Sequence, residues 1–219
     1  MTDDAQTLPA PIRPAELAAY LAARMCHDFI SPASAIVSGL DLLDDPSAQD
    51  MREDAMNLIA GSARKLADLL SFCRVAFGAS ASAETFDVRD LEKLARDVFG
   101  HMRAELVWTV TPLAVNKPAA RALLNLAQMA GQALPTGGTA KLTAVEEGGS
   151  LAIAIECTGP RARLRPEVLA GLRGEPLSEG LHGHWVQAYY THLLIGDAGG
   201  RVFAEPGEDK VVFAAAVPA

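Results

Sequence analysis

The pair His27-Asp28, with Pro32 five residues after the histidine, is the part of this sequence best suited to covalent chemistry. Neutral imidazole is a nucleophile at about pH 7, and a phosphoryl group on its nitrogen can be attacked in turn by a carboxylate. Asp28 can accept one ring N–H and so hold the tautomer that leaves the other nitrogen free. We therefore expect His27 to be a phosphoacceptor and Asp28 an orienting or acid–base group. The same residue types also fit an ordinary surface histidine.

The helix that carries His27 decides between these interpretations. Residues 15–43 are rich in Ala, Leu and Met, which predicts a long helix, and Pro32 inside it predicts a local kink. At about 100° per residue, the apolar side chains on one stripe are Leu17, Leu21, Met25, Phe29, Ala33, Ile36, Leu40 and Leu43. His27 falls opposite the middle of this stripe and is predicted to face water. This position favours the phosphoacceptor interpretation over that of an ordinary surface histidine. The expected partner contacts around it are Arg24, Ser31, Pro32, Ser34 and Ser38.

A second long helix is predicted after the break at residues 44–47. Ser47 is a plausible N-terminal cap, and apolar residues then recur at helical spacing as far as Phe77. Two long helices joined by a few residues form an antiparallel hairpin, which buries only one side of each helix. We expect residues 15–77 to be a dimerisation and phosphotransfer domain that forms a four-helix bundle in a homodimer.

A small, polar stretch at residues 78–84 has the composition of a linker, and a second domain is predicted over residues 85–219. Helices are predicted at 88–101, 118–134 and 184–195, with Asn116 capping the second of them. Strands are predicted at 106–111, 141–146, 151–157, 201–205 and 210–217. The mixture indicates an α+β fold, with helices packed on one face of a mixed sheet.

Composition restricts the partners. The formal net charge is −8, from 19 Lys plus Arg against 27 Asp plus Glu, which argues against nucleic acid or an anionic membrane as the main partner. Three separated cysteines and a proline-containing acidic start indicate neither a disulfide framework, a zinc site nor a signal peptide. No apolar run is long enough to span a membrane. We expect a cytoplasmic protein with protein partners.

The stretch from Met25 to Pro32 resembles the phosphoacceptor box of histidine-kinase dimerisation domains, except that Ile30 stands where kinases usually carry a basic residue. With the second helix and the kinase-like second domain, nearly the whole chain resembles the ChpT histidine phosphotransferases of bacterial phosphorelays. That resemblance implies a phosphoryl donor in the receiver domain of a hybrid histidine kinase (CckA-like). It implies CtrA-like and CpdR-like response regulators of cell-cycle control as acceptors, with Mg²⁺ supplied by the receiver domain.

The second domain resembles a histidine-kinase ATPase domain that has lost its nucleotide contacts. Met129 stands where a kinase has its magnesium-binding Asn, and a thioether is a poor ligand for a hard cation. Cys157 stands where an Asp would accept the adenine amino group. Bulky His182, His184 and Trp185 replace the glycine-rich phosphate loop expected at residues 180–185. We expect a degenerate ATPase-like α/β sandwich that binds no ATP and needs no cofactor of its own.

Three functions remain open from the sequence. The favoured one is a histidine phosphotransferase that relays phosphate through His27. The alternatives are an active histidine kinase core with altered ATP contacts, and a scaffold that docks receiver domains without taking phosphate. His182 and His184 could also suggest a metal site, but without an obvious third ligand they are more simply explained as polar loop residues.

Overall fold

The computed structural model of the protein describes residues 12–78, 84–177 and 182–219. It begins with a helical hairpin made of α1 (Pro14–Asp44), a 3-10 turn (Gln49–Met51) and α2 (Arg52–Ala76). Both long helices of the sequence prediction are confirmed. The remaining helices are α3 (Val88–Phe99), α4 (Lys117–Gln132), α5 (Pro166–Leu172) and α6 (His182–Asp197). The strands are β1 (Thr85–Asp87), β2 (Ala104–Val110), β3 (Ala114–Asn116), β4 (Gly138–Glu147), β5 (Ser150–Thr158), β6 (Arg201–Gly207) and β7 (Lys210–Pro218).

Close packing of the two hairpin helices depends on Gly39. A Cβ at this position would lie 2.6 Å from Cγ1 of Ile59 and 3.2 Å from the carbonyl oxygen of Ala55, so any side chain would push α2 away. Gly39 and Pro32 are the buried residues of α1, and the helix continues through Pro32. The proline therefore lies inside an unbroken helical segment that packs within the chain.

The expected Ser47 cap is wrong. The backbone N–H and Oγ of Ser47 donate to Oδ1 of Asp45 at 2.8 and 2.7 Å, which forms a turn that precedes the 3-10 segment. These two hydrogen bonds stabilise the ionised carboxylate and lower the pKa of Asp45. α2 instead begins after Met51, with Glu53 and Asp54 in its first turn, where acidic residues favour the helix dipole.

A five-stranded sheet in the order β2-β4-β5-β7-β6 forms the second half of the chain. β2 pairs in parallel with β4, and the other neighbouring strands are antiparallel. Side chains alternate along the strands, so that Leu142, Ile155 and Phe213 are fully buried against the helices on one face. The predicted mixed sheet and its terminal hairpin are therefore confirmed.

Helix α4 is buried on nearly every side beneath this sheet. Its cap is the predicted one, because Oδ1 of Asn116 accepts a hydrogen bond from the N–H of Ala119 at 3.0 Å. The short strands β1 and β3, which pair with each other, and helix α5 were not predicted. Residues 79–83 of the predicted linker lie outside the described residues.

Candidate functional site

His27 projects from the middle of α1 with 84% of its side chain exposed to solvent. Its Nδ1 lies 3.4 Å from Oδ1 of Asp28. With the proton on Nδ1, the ring donates to the carboxylate and Nε2 is left with a free lone pair. The exposed position predicted from helix geometry is thus observed, and the ring faces the carboxylate that was expected to orient it.

Arg24 lies one helical turn before Asp28, and its side chain is only 10% exposed. Its Nε donates to Oδ2 of Asp28 at 2.8 Å, and Nη1 donates to the carbonyl oxygen of Gly183 at 2.5 Å. The expectation that Arg24 flanks His27 on an open, partner-binding face is therefore wrong, because α6 covers the guanidinium.

The other predicted contact residues divide into two groups. Ser31, Ser34 and Ser38 are exposed on the same side of α1 as His27. Pro32 is buried, so it is not available for direct contact with a partner, and its place among the expected contacts is corrected. A protein that approaches His27 would meet short hydroxyl side chains on the following two turns.

The first turn of α6 lies beside His27 and lines a cavity together with α1. A cavity of about 310 Å³ is lined by Tyr20, Ala23, Arg24, His27, Asp28, His182, Gly183 and His184. The rings of Tyr20 and His182 lie 4.9 Å apart between centroids. The prediction of a loop at residues 182–183 is wrong, since both residues belong to α6; residues 180–181 lie outside the described residues. His27 therefore faces a cleft between the hairpin and the sandwich.

A second groove, of about 260 Å³, is also lined by His27 and includes residues of α2 and α3. Lys65 and His101 line it together with Ser31, and His101 Nε2 lies 2.7 Å from Oδ2 of Asp68. Lys65 and His101 were not identified from the sequence as neighbours of His27. Their helical stretches were visible in the sequence, but the packing of α3 against α2 was not.

His184, which lines the same cavity as His27, is partly buried and has a lowered pKa. Burial lowers its pKa from the ordinary value of 6.5, and the positive charges of Arg165 and Arg24 lower it further. Its Nδ1 is buried and has no hydrogen-bond partner within the structure. His184 is therefore predominantly neutral at pH 7, beside an exposed His27.

Two of the three cysteine thiols are held protonated by burial. Burial raises the pKa of Cys73 to about 12, with the Asp28 carboxylate adding to the effect. Burial likewise raises the pKa of Cys157 to about 12. Cys26 is exposed next to His27. Among the residues that the structure describes, no cluster of three or more His, Cys, Asp or Glu side chains could hold a metal ion.

Buried side chains stand at positions compared above with the nucleotide contacts of kinases, and three buried amides lie beside Met129. Nε2 of Gln187 donates to Oε1 of Gln128 at 2.7 Å and to Oδ1 of Asn125 at 3.2 Å. Met129 and Cys157 are both buried. The cavity beside Met129 has a volume of about 10 Å³, which is about the minimum that holds one water molecule.

Three comparisons with known proteins bear on this geometry. The family model of the histidine phosphotransferase C-terminal domain matches residues 88–210. Protein phosphotransferase ChpT of Brucella abortus (strain 2308) is 34% identical over 210 residues, which cover 95% of this chain and 99% of that protein. A solved bacterial phosphotransferase structure is 32% identical and superposes with a TM-score of 0.84, covering 95% of this chain and 100% of the other.

The catalytic domain of histidine kinase ThkA also matches, with 20% identity and a TM-score of 0.46, over 61% of this chain and 93% of that one. Within residues 12–78, 84–177 and 182–219, no helix has the length and apolar character needed to cross a membrane. The predicted α+β fold class, an N-terminal helical hairpin followed by a mixed sheet with packed helices, is confirmed. The chain belongs to the ChpT-type family of histidine phosphotransferases.

Proposed function

We propose that His27 accepts a phosphoryl group from an aspartyl phosphate on one receiver domain and donates it to the aspartate of another. The observation that supports this is the exposed imidazole whose Nδ1 lies against the Asp28 carboxylate. Nε2 attacks phosphorus, the P–N bond forms, and the P–O bond to the receiver aspartate breaks with its electrons on the leaving carboxylate. Asp28 then faces the N–H of a positively charged phosphoimidazole and stabilises that charge.

The partners we propose are the receiver domain of a CckA-like hybrid kinase as donor and CtrA-like and CpdR-like response regulators as acceptors, in the cytoplasm. Ser31, Ser34 and Ser38 would lie under the docked receiver. Mg²⁺ and the lysine of the receiver would neutralise the phosphoryl oxygens, so this protein needs no cofactor of its own. The Brucella relative is named a protein phosphotransferase, which supports the class of reaction.

We also propose that the second half of the chain, over residues 85–219, uses no ATP. Nε2 of Gln187 donates to the amide oxygens of Asn125 and Gln128, and Nδ2 of Asn125 donates to the carbonyl oxygens of Ala76 and Arg121, so these groups are already engaged within the protein. Met129 offers a thioether in place of a magnesium ligand. Calorimetric titration with ATP and Mg²⁺ tests this point, since micromolar binding would favour an active kinase core instead.

A homodimer completes the proposal, with residues 15–77 as the bundle-forming domain. Large apolar side chains remain exposed on both hairpin helices in the single chain, namely Ile30, Val37, Leu40, Met56, Leu58 and Leu70. On α1, Ile30 and Val37 fall about 60° to 80° from His27 around the helix axis, so a second hairpin could cover them and leave the imidazole open. Such surfaces in a soluble protein indicate contact with another chain.

Phosphotransfer itself tests the main proposal. A phosphorylated receiver is mixed with wild type and with His27→Gln, and transfer of label is followed over time. We expect label on wild type and none on His27→Gln, with equal thermal unfolding midpoints because the side chain is exposed. Absence of label on both proteins, with complex formation retained, would leave the docking scaffold as the function.

A further inference from the structure

Arg24 connects the two halves of the molecule directly beside the phosphoacceptor. One edge of its guanidinium donates to Asp28 on its own helix, and another nitrogen donates to the backbone carbonyl of Gly183 on α6. The side chain is almost completely covered. A planar guanidinium can make both bonds from one fixed orientation, which the single ammonium nitrogen of lysine reproduces less well.

The packing around Arg24 holds that orientation. Trp185, Val186 and Tyr189 of α6 form a buried cluster against which Tyr20 and Leu21 of α1 pack. The indole N–H of Trp185 donates to the carbonyl oxygen of Glu175 at 2.9 Å, which ties this part of α6 to the segment that follows α5. The carbonyl of Gly183 is thus presented to Arg24 by a packed part of the sandwich.

The two oxygens of Asp28 have different neighbours. Oδ2 accepts from Arg24 at 2.8 Å, while Oδ1 faces Nδ1 of His27 at 3.4 Å. With Oδ2 held, the carboxylate plane is fixed and Oδ1 stays directed at the ring. Without Arg24, the carboxylate can rotate toward water, and the preference for a proton on Nδ1 weakens.

We propose that Arg24 is a positioning residue for phosphotransfer, which links the sandwich through Gly183 and Asp28 to the tautomer of His27. This inference rests on the proposed function for its kinetic consequence. Arg24 makes and breaks no covalent bond and holds no proton that moves. Its effect is on the fraction of His27 with Nε2 free to attack, so it changes the rate within the docked complex more than the docking.

The test compares Arg24→Met with Arg64→Met, a change at an exposed arginine of α2. The ¹⁵N chemical shifts of the His27 ring report the tautomer without any receiver. We expect a dominant Nδ1–H form in wild type and Arg64→Met, and a mixture of tautomers in Arg24→Met. At saturating phosphorylated receiver, the transfer rate of Arg24→Met should fall in proportion to the lost fraction of the Nδ1–H form, about twofold for an equal mixture of tautomers.

A double-mutant cycle separates positioning from a merely structural role. Arg24→Met should cause little further loss of rate in an Asp28→Asn background, because both changes interrupt the same link. Arg24→Lys, which keeps the charge near Asp28, should give an intermediate rate, and it carries the test if the methionine variant does not fold. An unchanged tautomer in Arg24→Met, additive losses in the cycle, or a loss confined to receiver affinity would each overturn the proposal.

The outcomes also distinguish this inference from the proposed function. If wild type takes no phosphate, the function fails, while the ring shifts still report whether Arg24 controls the tautomer. If wild type is labelled and its tautomer does not depend on Arg24, the function stands and the positioning role is wrong.

Discussion

The hairpin and the sandwich bury their apolar side chains to different extents. In the sandwich, Leu123, Leu142 and Phe213 are completely buried. In the hairpin, the buried residues of α1 are a proline and a glycine, while Val37 is 57% exposed. The sandwich thus has a closed core, which Leu69, Phe72, Val75 and Ala76 of α2 join, whereas α1 leaves apolar surface that another chain can cover. His27, the proposed phosphoacceptor, belongs to the hairpin, where 84% of its side chain is exposed.

The first way to test this contrast is to remove one aromatic ring from each environment. Phe213→Ala should lower the free energy of unfolding by about 3–5 kcal/mol, because it leaves a cavity in a packed core. Phe203 on the neighbouring strand is 60% exposed and serves as the matched control. We expect Phe203→Ala to cost about 0.5 kcal/mol or less, measured by urea unfolding. Equal losses would contradict the core described here.

Substitution of a buried amide of the sandwich should give the next largest loss of unfolding free energy. Gln187→Leu removes the donor to Gln128 and Asn125 while keeping the side-chain volume similar, and should destabilise by about 1–3 kcal/mol. The measurement is again urea unfolding. In the double variant Gln128→Leu/Gln187→Leu, the loss should be smaller than the sum of the single losses, since fewer buried groups lack partners. Strict additivity would show that the two side chains do not interact.

A charge introduced on the exposed apolar face of the hairpin should weaken the proposed dimer. Val37→Glu is expected to weaken the proposed dimer at least tenfold, or about 1.4 kcal/mol, because an unpaired carboxylate would be buried in the interface. Sedimentation equilibrium measures the change. Val145→Glu, at an exposed position of β4, is the control and should leave the association unchanged. A monomeric wild type would refute the dimer itself.

The smallest expected effect is a pH dependence from His184. Burial lowers its pKa, so the unfolded chain takes up a proton as the pH falls through 6.5 while the folded chain stays neutral. Folding stability from this group is therefore complete above pH 6.5 and decreases below it. NMR titration should give His184 a pKa below 6.5. Between about pH 7 and pH 5, where histidines titrate, His184→Gln should lose less folding stability than wild type.

A titration of His184 at or above 6.5 would contradict this description of its surroundings. Arg165 and Arg24 oppose protonation, while Glu167 and Asp28 favour it. Exposure of the ring through separation of the hairpin from α6 would be one physical cause of such a result.

Local sequence patterns predicted the elements that follow from periodicity. The exposure of His27 came from its position on the helix, and the Asn116 cap came from residue type and spacing. Ser47 has the same capping chemistry, but Asp45, two residues earlier, accepts both of its hydrogen bonds. Capping propensity alone does not show which of two nearby polar residues, Asp45 or Ser47, accepts the hydrogen bonds at this turn.

Tertiary packing accounts for the remaining errors in the site. Arg24 has the expected position on α1, yet α6, more than a hundred residues away in sequence, covers it. The glycine at position 183 favoured a loop, but the following apolar residues extend the helix back to His182. Strands β1 and β3 have three residues each, too few for a periodic pattern. The walls of the His27 cleft were therefore not predictable from local signals.

The burial of α4 on nearly every side bears on which substitutions this fold tolerates. Met129 lies among buried neighbours, so Met129→Asn would place an amide where few polar partners are available. Such a change costs about 1–3 kcal/mol for an unsatisfied buried group. A polar side chain can therefore be added to α4 without this cost only if a buried hydrogen-bond partner is introduced with it. Single polar substitutions along this helix should be tolerated less well than paired ones.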